Sequence, residues 1–147
     1  MSDQSINQIQ DDIIEKFSML DGDMEMMIGY LMELGEKLPE MPETLKTEDN
    51  IVKGCQSKVW LVADEQEGKL YFQADSNTAI TKGLVSLLVS ILGGQKIEDI
   101  MDADLYFIHK IGMNRFIGTQ RSNGFLAMIK QIKMFAIAYK TKIENEA

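Results

Sequence analysis

The sequence predicts an α+β fold formed by a single domain over residues 1–147. Apolar residues recur at helical spacing near both ends of the chain, and short β-like runs separated by turn signals lie between residues 50 and 74. A chain of 147 residues can bury roughly 68–70% of its unfolded surface without metal or disulfide support. One core is therefore expected, with flexible ends at about 1–5 and 143–147.

Two amphipathic helices are predicted at the start of the chain. The segment from Ile6 to Leu20 places apolar residues three and four positions apart, which is typical of a helix with one buried face. Asp21-Gly22 ends that helix. Asp23 is suited to cap a second helix over 24–38, which Pro39 ends.

Three β-strands are predicted next, over about 50–53, 58–63 and 69–74. The polar connector 64–68 ends in glycine and favours an antiparallel hairpin between the second and third strands. Because the alternation in the third strand is imperfect, we expect helices to cover one face of the sheet and water to reach part of the other.

A central buried helix is predicted over 79–92, and Gly93-Gly94 ends it. We interpret Asp75 and Ser76 as residues that cap this helix. Gly83 indicates close contact with neighbouring helices, since it lies in a segment that is apolar around most of its circumference.

The last third of the chain is predicted to hold two further helices. A short one lies around 97–101, and an irregular stretch follows to Thr119. The second is amphipathic, opens at Arg121-Ser122-Asn123-Gly124, and has lysines on its solvated face: Lys130, Lys133, Lys140 and Lys142.

The net charge of −8 argues against a nucleic-acid partner, because phosphate binding needs clustered Lys and Arg. The first residues lack the basic start and apolar stretch of a secretory signal, and no segment is long enough to span a bilayer. We therefore predict a cytoplasmic protein with no membrane partner, in which a thiol stays reduced.

Cys55 is the only cysteine, so the chain can form neither an internal disulfide nor a cysteine-rich metal site. No metal is predicted. Glycine and small polar residues flank Cys55 and an aromatic, β-branched run follows, which indicates a reactive thiol on a tight loop before a strand. An ordinary thiol is only a few per cent ionised at neutral pH, so activation needs a nearby cation such as Lys53 or Lys58, backbone N–H groups, or a partner's site.

Three kinds of function remain open for a lone thiol. A cysteine hydrolase or peroxidase-like enzyme needs a base, and the only histidine, His109, has no orienting residue at a suitable spacing, so we interpret it as structural or surface. A binding module with an inert, buried Cys55 is the second. The third is sulfur transfer, in which a thiolate attacks the terminal sulfur of a persulfide on another protein and no second catalytic group is required.

Three segments narrow this choice: 52–60 around Cys55, 75–84, and Arg121-Ser122-Asn123-Gly124. Together, in this order, they resemble the SufE family of sulfur acceptors over about residues 6–142. The resemblance implies a three-stranded antiparallel sheet packed against helices, the fold shared with U-type scaffold proteins.

The resemblance also implies a function and partners. Cys55 would accept persulfide sulfur from a cysteine desulfurase, stimulate that enzyme, and pass the sulfur to an iron–sulfur scaffold protein. Such a protein is a sulfur-transfer accessory protein rather than an independent enzyme. Pyridoxal phosphate is expected only in the desulfurase, so no cofactor is predicted for this chain.

The other matching residues are expected to support the loop. Gly54, Gln56 and Ser57 match the loop signature and are expected to shape it or meet the partner. Arg121 matches an arginine near the last helix that either faces the partner and supports the cysteine loop or forms a salt bridge that fixes the helix start. Asn77 stands where family members often carry an acid.

The alternative function is that of an iron–sulfur cluster scaffold. With one cysteine, a cluster would have to be bridged between two copies of the chain.

Overall fold

The computed structural model describes residues 4–146 and confirms the α+β class. The helices are α1 Ile6–Ser18, α2 Met24–Glu36, α3 Ala79–Leu92, α4 Ile97–Asp102, α5 Phe107–Lys110, α6 Met113–Ile117 and α7 Thr119–Glu146; the strands are β1 Val59–Gln66, β2 Lys69–Ser76 and β3 Gln95–Lys96. Two 3₁₀ turns, Glu43–Leu45 and Glu48–Asn50, precede β1. Among the helices formed by these residues, none is long and apolar enough to cross a membrane.

The three strands form an antiparallel sheet in the order β1-β2-β3, as predicted. β1 and β2 pair along their whole length, and Gln66 lies opposite Lys69. Glu67 and Gly68 therefore form a two-residue turn, and their φ angles of 54° and 80° match the left-handed turns that suit twisted hairpins. The connector is shorter than predicted because residues 64–66 continue β1.

The strand predicted over 50–53 is wrong. Ile51 makes only an isolated bridge with Trp60, and the Val52 N–H donates to the carbonyl of Val59 at 2.8 Å. Gly54, with φ of 98°, then turns the chain away, so pairing cannot continue. The third strand is instead β3, which pairs with the opposite end of β2 at Lys69 and Leu70.

Helix α3 is the centre of the core, as predicted from its apolar sequence. Leu84, Leu88 and Ile91 are fully buried. The helix crosses α2 where Gly83 meets the backbone of Leu31 and Gly35, so the close contact predicted for Gly83 is observed. This crossing places the start of α3 beside the end of the Cys55 loop.

The capping role predicted for Asp75 and Ser76 is wrong, because both residues belong to β2 and Thr78 is the N-terminal cap residue of α3. The Ser76 hydroxyl donates to the carbonyl of Lys58 at 2.8 Å, and the Asn77 side-chain oxygen accepts from the Lys58 N–H at 3.0 Å. These bonds attach the end of the Cys55 loop to the sheet.

The region after α4 is more regular than predicted, because it contains α5 and α6. Helix α7 begins at Thr119 and therefore includes the predicted opening residues 121–124. Lys133 is not on a solvated face: its ammonium donates to the carbonyls of Met101 and Ala103 at the end of α4. This bond fixes α7 against α4.

The predicted flexibility of 1–5 and 143–147 stays a prediction. Residues 1–3 and 147 lie outside the described residues. Ser5 caps α1, since its hydroxyl accepts from the Gln8 N–H, and 143–146 form the last turn of α7.

Candidate functional site

Cys55 lies on the loop between the second 3₁₀ turn and β1, packed against the first turns of α7. The thiol is half-buried and donates to the carbonyl of Gly124 at 3.4 Å. A Cβ at Gly124 would lie 3.4 Å from the sulfur and 3.6 Å from Cα of Cys55. Gly124 therefore lets the loop lie directly on the helix backbone.

Gly54 shapes the same contact from the side of the loop. Its φ of 98° is unfavourable for residues with a Cβ, and a Cβ there would come within 3.2 Å of the Ala127 Cβ. Both glycines are thus needed to seat Cys55 on α7.

A groove of about 380 Å³ opens beside the thiol between α3 and the start of α7. Leu84 and Met128 give it an apolar floor, and Thr81 and Arg121 provide polar groups. The residues lining it are Cys55, Gln56, Ser57, Thr81, Leu84, Ile117, Gly118, Thr119, Gln120, Arg121, Gly124 and Met128. Three of the four site residues predicted beside Cys55, namely Gln56, Ser57 and Arg121, line this groove.

Ser57 is held by α3 and its cap. Its hydroxyl oxygen lies 2.9 Å from that of Thr78 and 3.4 Å from that of Thr81, and it accepts a hydrogen bond from each. Gln56 is exposed at the rim of the groove. Ser57 therefore fixes the loop, whereas Gln56 is free to contact a partner.

Arg121 lines the groove while its guanidinium donates to the carbonyl of Ile117 at 3.2 Å. Within residues 4–146 it forms no salt bridge. Its side chain thus fixes the junction of α6 and α7 through a carbonyl rather than an acid. It is the one charged side chain among the described residues that line the groove.

The resting thiol of Cys55 is held in its neutral form. Burial raises its pKa, and the hydrogen bond to Gly124 uses the thiol proton. Lys53 and Lys58 are exposed and make no hydrogen bond to the sulfur in the described part of the chain. The activation by these lysines that the sequence left open has no contact to support it in this structure.

His109 is exposed on α5 and is not among the described residues that line the Cys55 groove. The structure therefore does not bring the only histidine to the thiol. Among residues 4–146, no group of three or more His, Cys, Asp or Glu side chains is arranged to hold a metal ion.

Gly124 and Thr81 are site residues that sequence reasoning missed. Gly124 was interpreted only as part of the opening of the last helix, although a glycine inside a helix costs about 1 kcal/mol relative to alanine and usually has a packing reason. That cost was the available signal. Thr81 gave none, because nothing in its local sequence indicates a partner 24 residues away.

A cluster around Asp75 supports the strand that follows the Cys55 loop. Its carboxylate, 8% exposed, lies 2.8 Å from Lys46 and 3.4 Å from Lys82. Lys46 also lies 5.7 Å from the centre of the Trp60 ring, a cation–π contact. Burial would raise the pKa of Asp75, but hydrogen bonds from Lys46 and the Ser76 N–H and the charges of both lysines together hold that pKa below its ordinary value of 3.8.

Replacement of Asp75 by asparagine is expected to lower the free energy of unfolding at pH 7 by about 1–2 kcal/mol, a value reduced for the partial exposure of both lysines. A lowered folded pKa stabilises the protein above the unfolded pKa, and this contribution is lost as the pH falls through the folded value. The difference between Asp75→Asn and wild type should therefore shrink below about pH 4.

Urea unfolding at pH 7 and at successively lower pH would test this expectation, with Asp64→Asn, at an exposed carboxylate on β1, as the control. A difference that stays constant down to the acid transition would contradict it.

Comparison with known proteins places this geometry in a family. The family model for SufE, described as an Fe-S metabolism associated domain, matches residues 11–136. An uncharacterized SufE-like protein of Rhizobium meliloti (strain 1021) is 40% identical over 128 residues, which cover 84% of this chain and 91% of that protein. An uncharacterized SufE-like protein of Synechocystis is 34% identical over 128 residues, covering 87% and 80%.

The fold is also found in a solved structure. The solution structure of a hypothetical protein from Thermus thermophilus matches with a TM-score of 0.75 and 22% identity, covering 90% of this chain and 96% of that one. This likeness supports the architecture alone. From the family match and the two relatives, the chain belongs to the SufE family, whose domain is associated with iron–sulfur metabolism.

Proposed function

We propose that this protein is a sulfur acceptor and carrier: Cys55 takes persulfide sulfur from a cysteine desulfurase, stimulates that enzyme, and delivers the sulfur to an iron–sulfur scaffold protein. The observation that carries this proposal is a half-buried single thiol at the mouth of a groove, in a chain of the SufE family. We place the protein in the cytoplasm, where the thiol stays reduced. The pyridoxal phosphate belongs to the desulfurase.

The transfer needs one reacting group from this chain. The Cys55 thiolate attacks the terminal sulfur of the donor persulfide, R–S–SH. A bond forms between Sγ and that sulfur while the donor S–S bond breaks. The products are Cys55–S–SH and the donor thiolate R–S⁻, so the negative charge moves to the donor and the proton stays on the transferred sulfur.

The thiol must first lose its proton, and the resting loop opposes this loss. Burial raises the pKa of Cys55 and its proton is donated to Gly124. Activation therefore requires the donor protein to supply a base or to draw the sulfur away from the Gly124 carbonyl. This requirement supports a carrier that reacts in a complex and stays unreactive when it is alone.

The apolar floor of the groove supports a second part of the proposal. Leu84 and Met128 border the space into which the added sulfur would extend. A polarizable, weakly hydrated sulfur atom fits such a surface better than it fits bulk water.

Incubation of the protein with the cysteine desulfurase of the same organism and L-cysteine tests the proposal by intact-mass spectrometry. We expect a gain of one sulfur atom that trypsin mapping places on Cys55 and that a thiol reductant removes. The same mixture without L-cysteine is the control. An unmodified Cys55 after many turnovers of the desulfurase would overturn the proposal.

A further inference from the structure

The outer face of α7 carries an exposed apolar stripe. Leu126, Met134 and Ile137 are 59%, 53% and 51% exposed. With Lys130 between them, they occupy positions i, i+4, i+8 and i+11, which lie on one side of a helix over about 16 Å. The opposite side of α7 is buried in the core through Phe125, Met128, Ile132 and Ala136. We call the four residues Leu126, Lys130, Met134 and Ile137 the α7 stripe.

The α7 stripe borders the Cys55 loop. Gly54 lies over Ala127, close enough that a Cβ at Gly54 would be 3.2 Å from the Ala127 Cβ. Ala127 precedes Met134 by two helical turns and Lys130 by one, so these residues share a side of α7. A protein that reaches Gly54 and Gln56 from outside would therefore extend onto the stripe.

Charge is distributed unevenly between α7 and the rest of the chain. Residues 119–146 contain five Lys or Arg and two Asp or Glu, a net charge of 5 − 2 = +3. Residues 1–118 and 147 contain ten and 21, a net charge of 10 − 21 = −11. The acids of α7, Glu144 and Glu146, lie in its last turn. The α7 stripe thus combines apolar side chains with a basic helix on an acidic protein.

We propose that the α7 stripe is a docking surface for the sulfur-donating desulfurase, whose contacting face should combine an apolar depression with carboxylates. This inference rests on the proposed function. Charge complementarity favours an acidic partner, and attraction between opposite charges speeds encounter. Clustered apolar side chains that are more than half exposed give such a complex area to bury.

Two other occupants fit the stripe less well. A second copy would bring Lys130 against Lys130 and two basic helices together, which is repulsive. An anionic membrane surface is attracted to several clustered lysines, whereas the stripe holds one and the whole chain carries −8. A single acidic protein partner satisfies both the apolar and the basic residues.

Binding of the Cys55→Ser chain to the desulfurase of the same organism separates docking from transfer. We expect Lys130→Glu and Ile137→Glu, each added to Cys55→Ser, to raise the dissociation constant by about tenfold or more. Met24→Glu is the matched control, because Met24 is 49% exposed on α2. The effect of Lys130→Glu should diminish as salt is raised. Circular dichroism and thermal unfolding would verify that each variant folds.

Each outcome decides between the inferences. If the parent chain binds and both stripe variants bind equally well, or if the parent does not bind at all, the docking inference is overturned. Loss of a dimer in Ile137→Glu, or loss of sedimentation with phosphatidylserine vesicles in Lys130→Glu, would overturn it in favour of a second copy or a membrane. Sulfur uptake by the wild-type chain is scored separately, so its failure identifies an error in the proposed function instead.

Discussion

Cys55→Ser should gain no sulfur from the desulfurase and should lose all stimulation of its turnover. A serine hydroxyl is far too weakly acidic to form the nucleophile at neutral pH, and sulfur is the atom that must carry the persulfide. The fold should survive, because serine is close to cysteine in size and its hydroxyl can also donate to the Gly124 carbonyl. Intact-mass spectrometry and the rate of alanine release with L-cysteine measure both effects.

The variant should act as an inhibitor as well as an inactive protein. Because Cys55→Ser keeps the surfaces around the loop, it should compete with the wild-type chain for the desulfurase and lower wild-type persulfide formation in proportion to its excess. Ser57→Ala, in the same loop, is the control for a small change in loop packing. Full stimulation by Cys55→Ser would show that desulfurase activation does not pass through the thiol.

The local parts of the fold could be predicted from the sequence because short-range chemistry specifies them. Asp23 caps α2 through the Met26 N–H, Gly93 ends α3, and Gly68 forms the hairpin turn. Each depends on residues within a few positions of one another. The bounds of α1 and α2 were overestimated by two residues each, since their last turns continue as irregular backbone.

The errors concern pairing between distant segments. β3 is two residues long and has no alternating pattern, and it forms because Gly94 donates to the carbonyl of Leu70 and leads the chain along β2. Segment 50–53 has the composition of a strand, but Gly54 ends its pairing. Asp75 was assigned to a cap because acids commonly precede helices, yet its partner Lys46 lies 29 positions earlier.

The candidate site divides in the same way. The loop and its cysteine could be identified from local sequence, and the resemblance to a family supplied the reaction. The environment of the thiol could not be predicted, because the carbonyl that accepts its proton is 69 residues away in another element. That contact determines that the resting thiol is neutral, so the question of activation passes from Lys53 and Lys58 to the partner.

The crossing of α2 and α3 supports the site from below, because α3 carries Thr81 and Leu84 into the Cys55 groove. At this crossing a Cβ on Gly83 would lie 2.7 Å from the carbonyl carbon of Leu31, and one on Gly35 would lie 2.7 Å from the Gly83 nitrogen. These are backbone atoms, which cannot rotate aside as a side chain can. The Ser86 hydroxyl also donates across the crossing to the Leu34 carbonyl at 3.0 Å.

Gly83→Ala should therefore lower the free energy of unfolding by about 1–3 kcal/mol, because the helices must separate, even though alanine favours the helix by about 1 kcal/mol. Gly29→Ala is the matched control: this position of α2 has no atom within 4 Å of a would-be Cβ, so the same change should raise stability by up to about 1 kcal/mol. Urea unfolding of both variants measures the opposite signs. The separation should also move Thr81 away from Ser57, which would loosen the Cys55 loop and speed alkylation of the thiol. Equal stabilisation by the two substitutions would mean that α3 can shift along α2 without loss of packing.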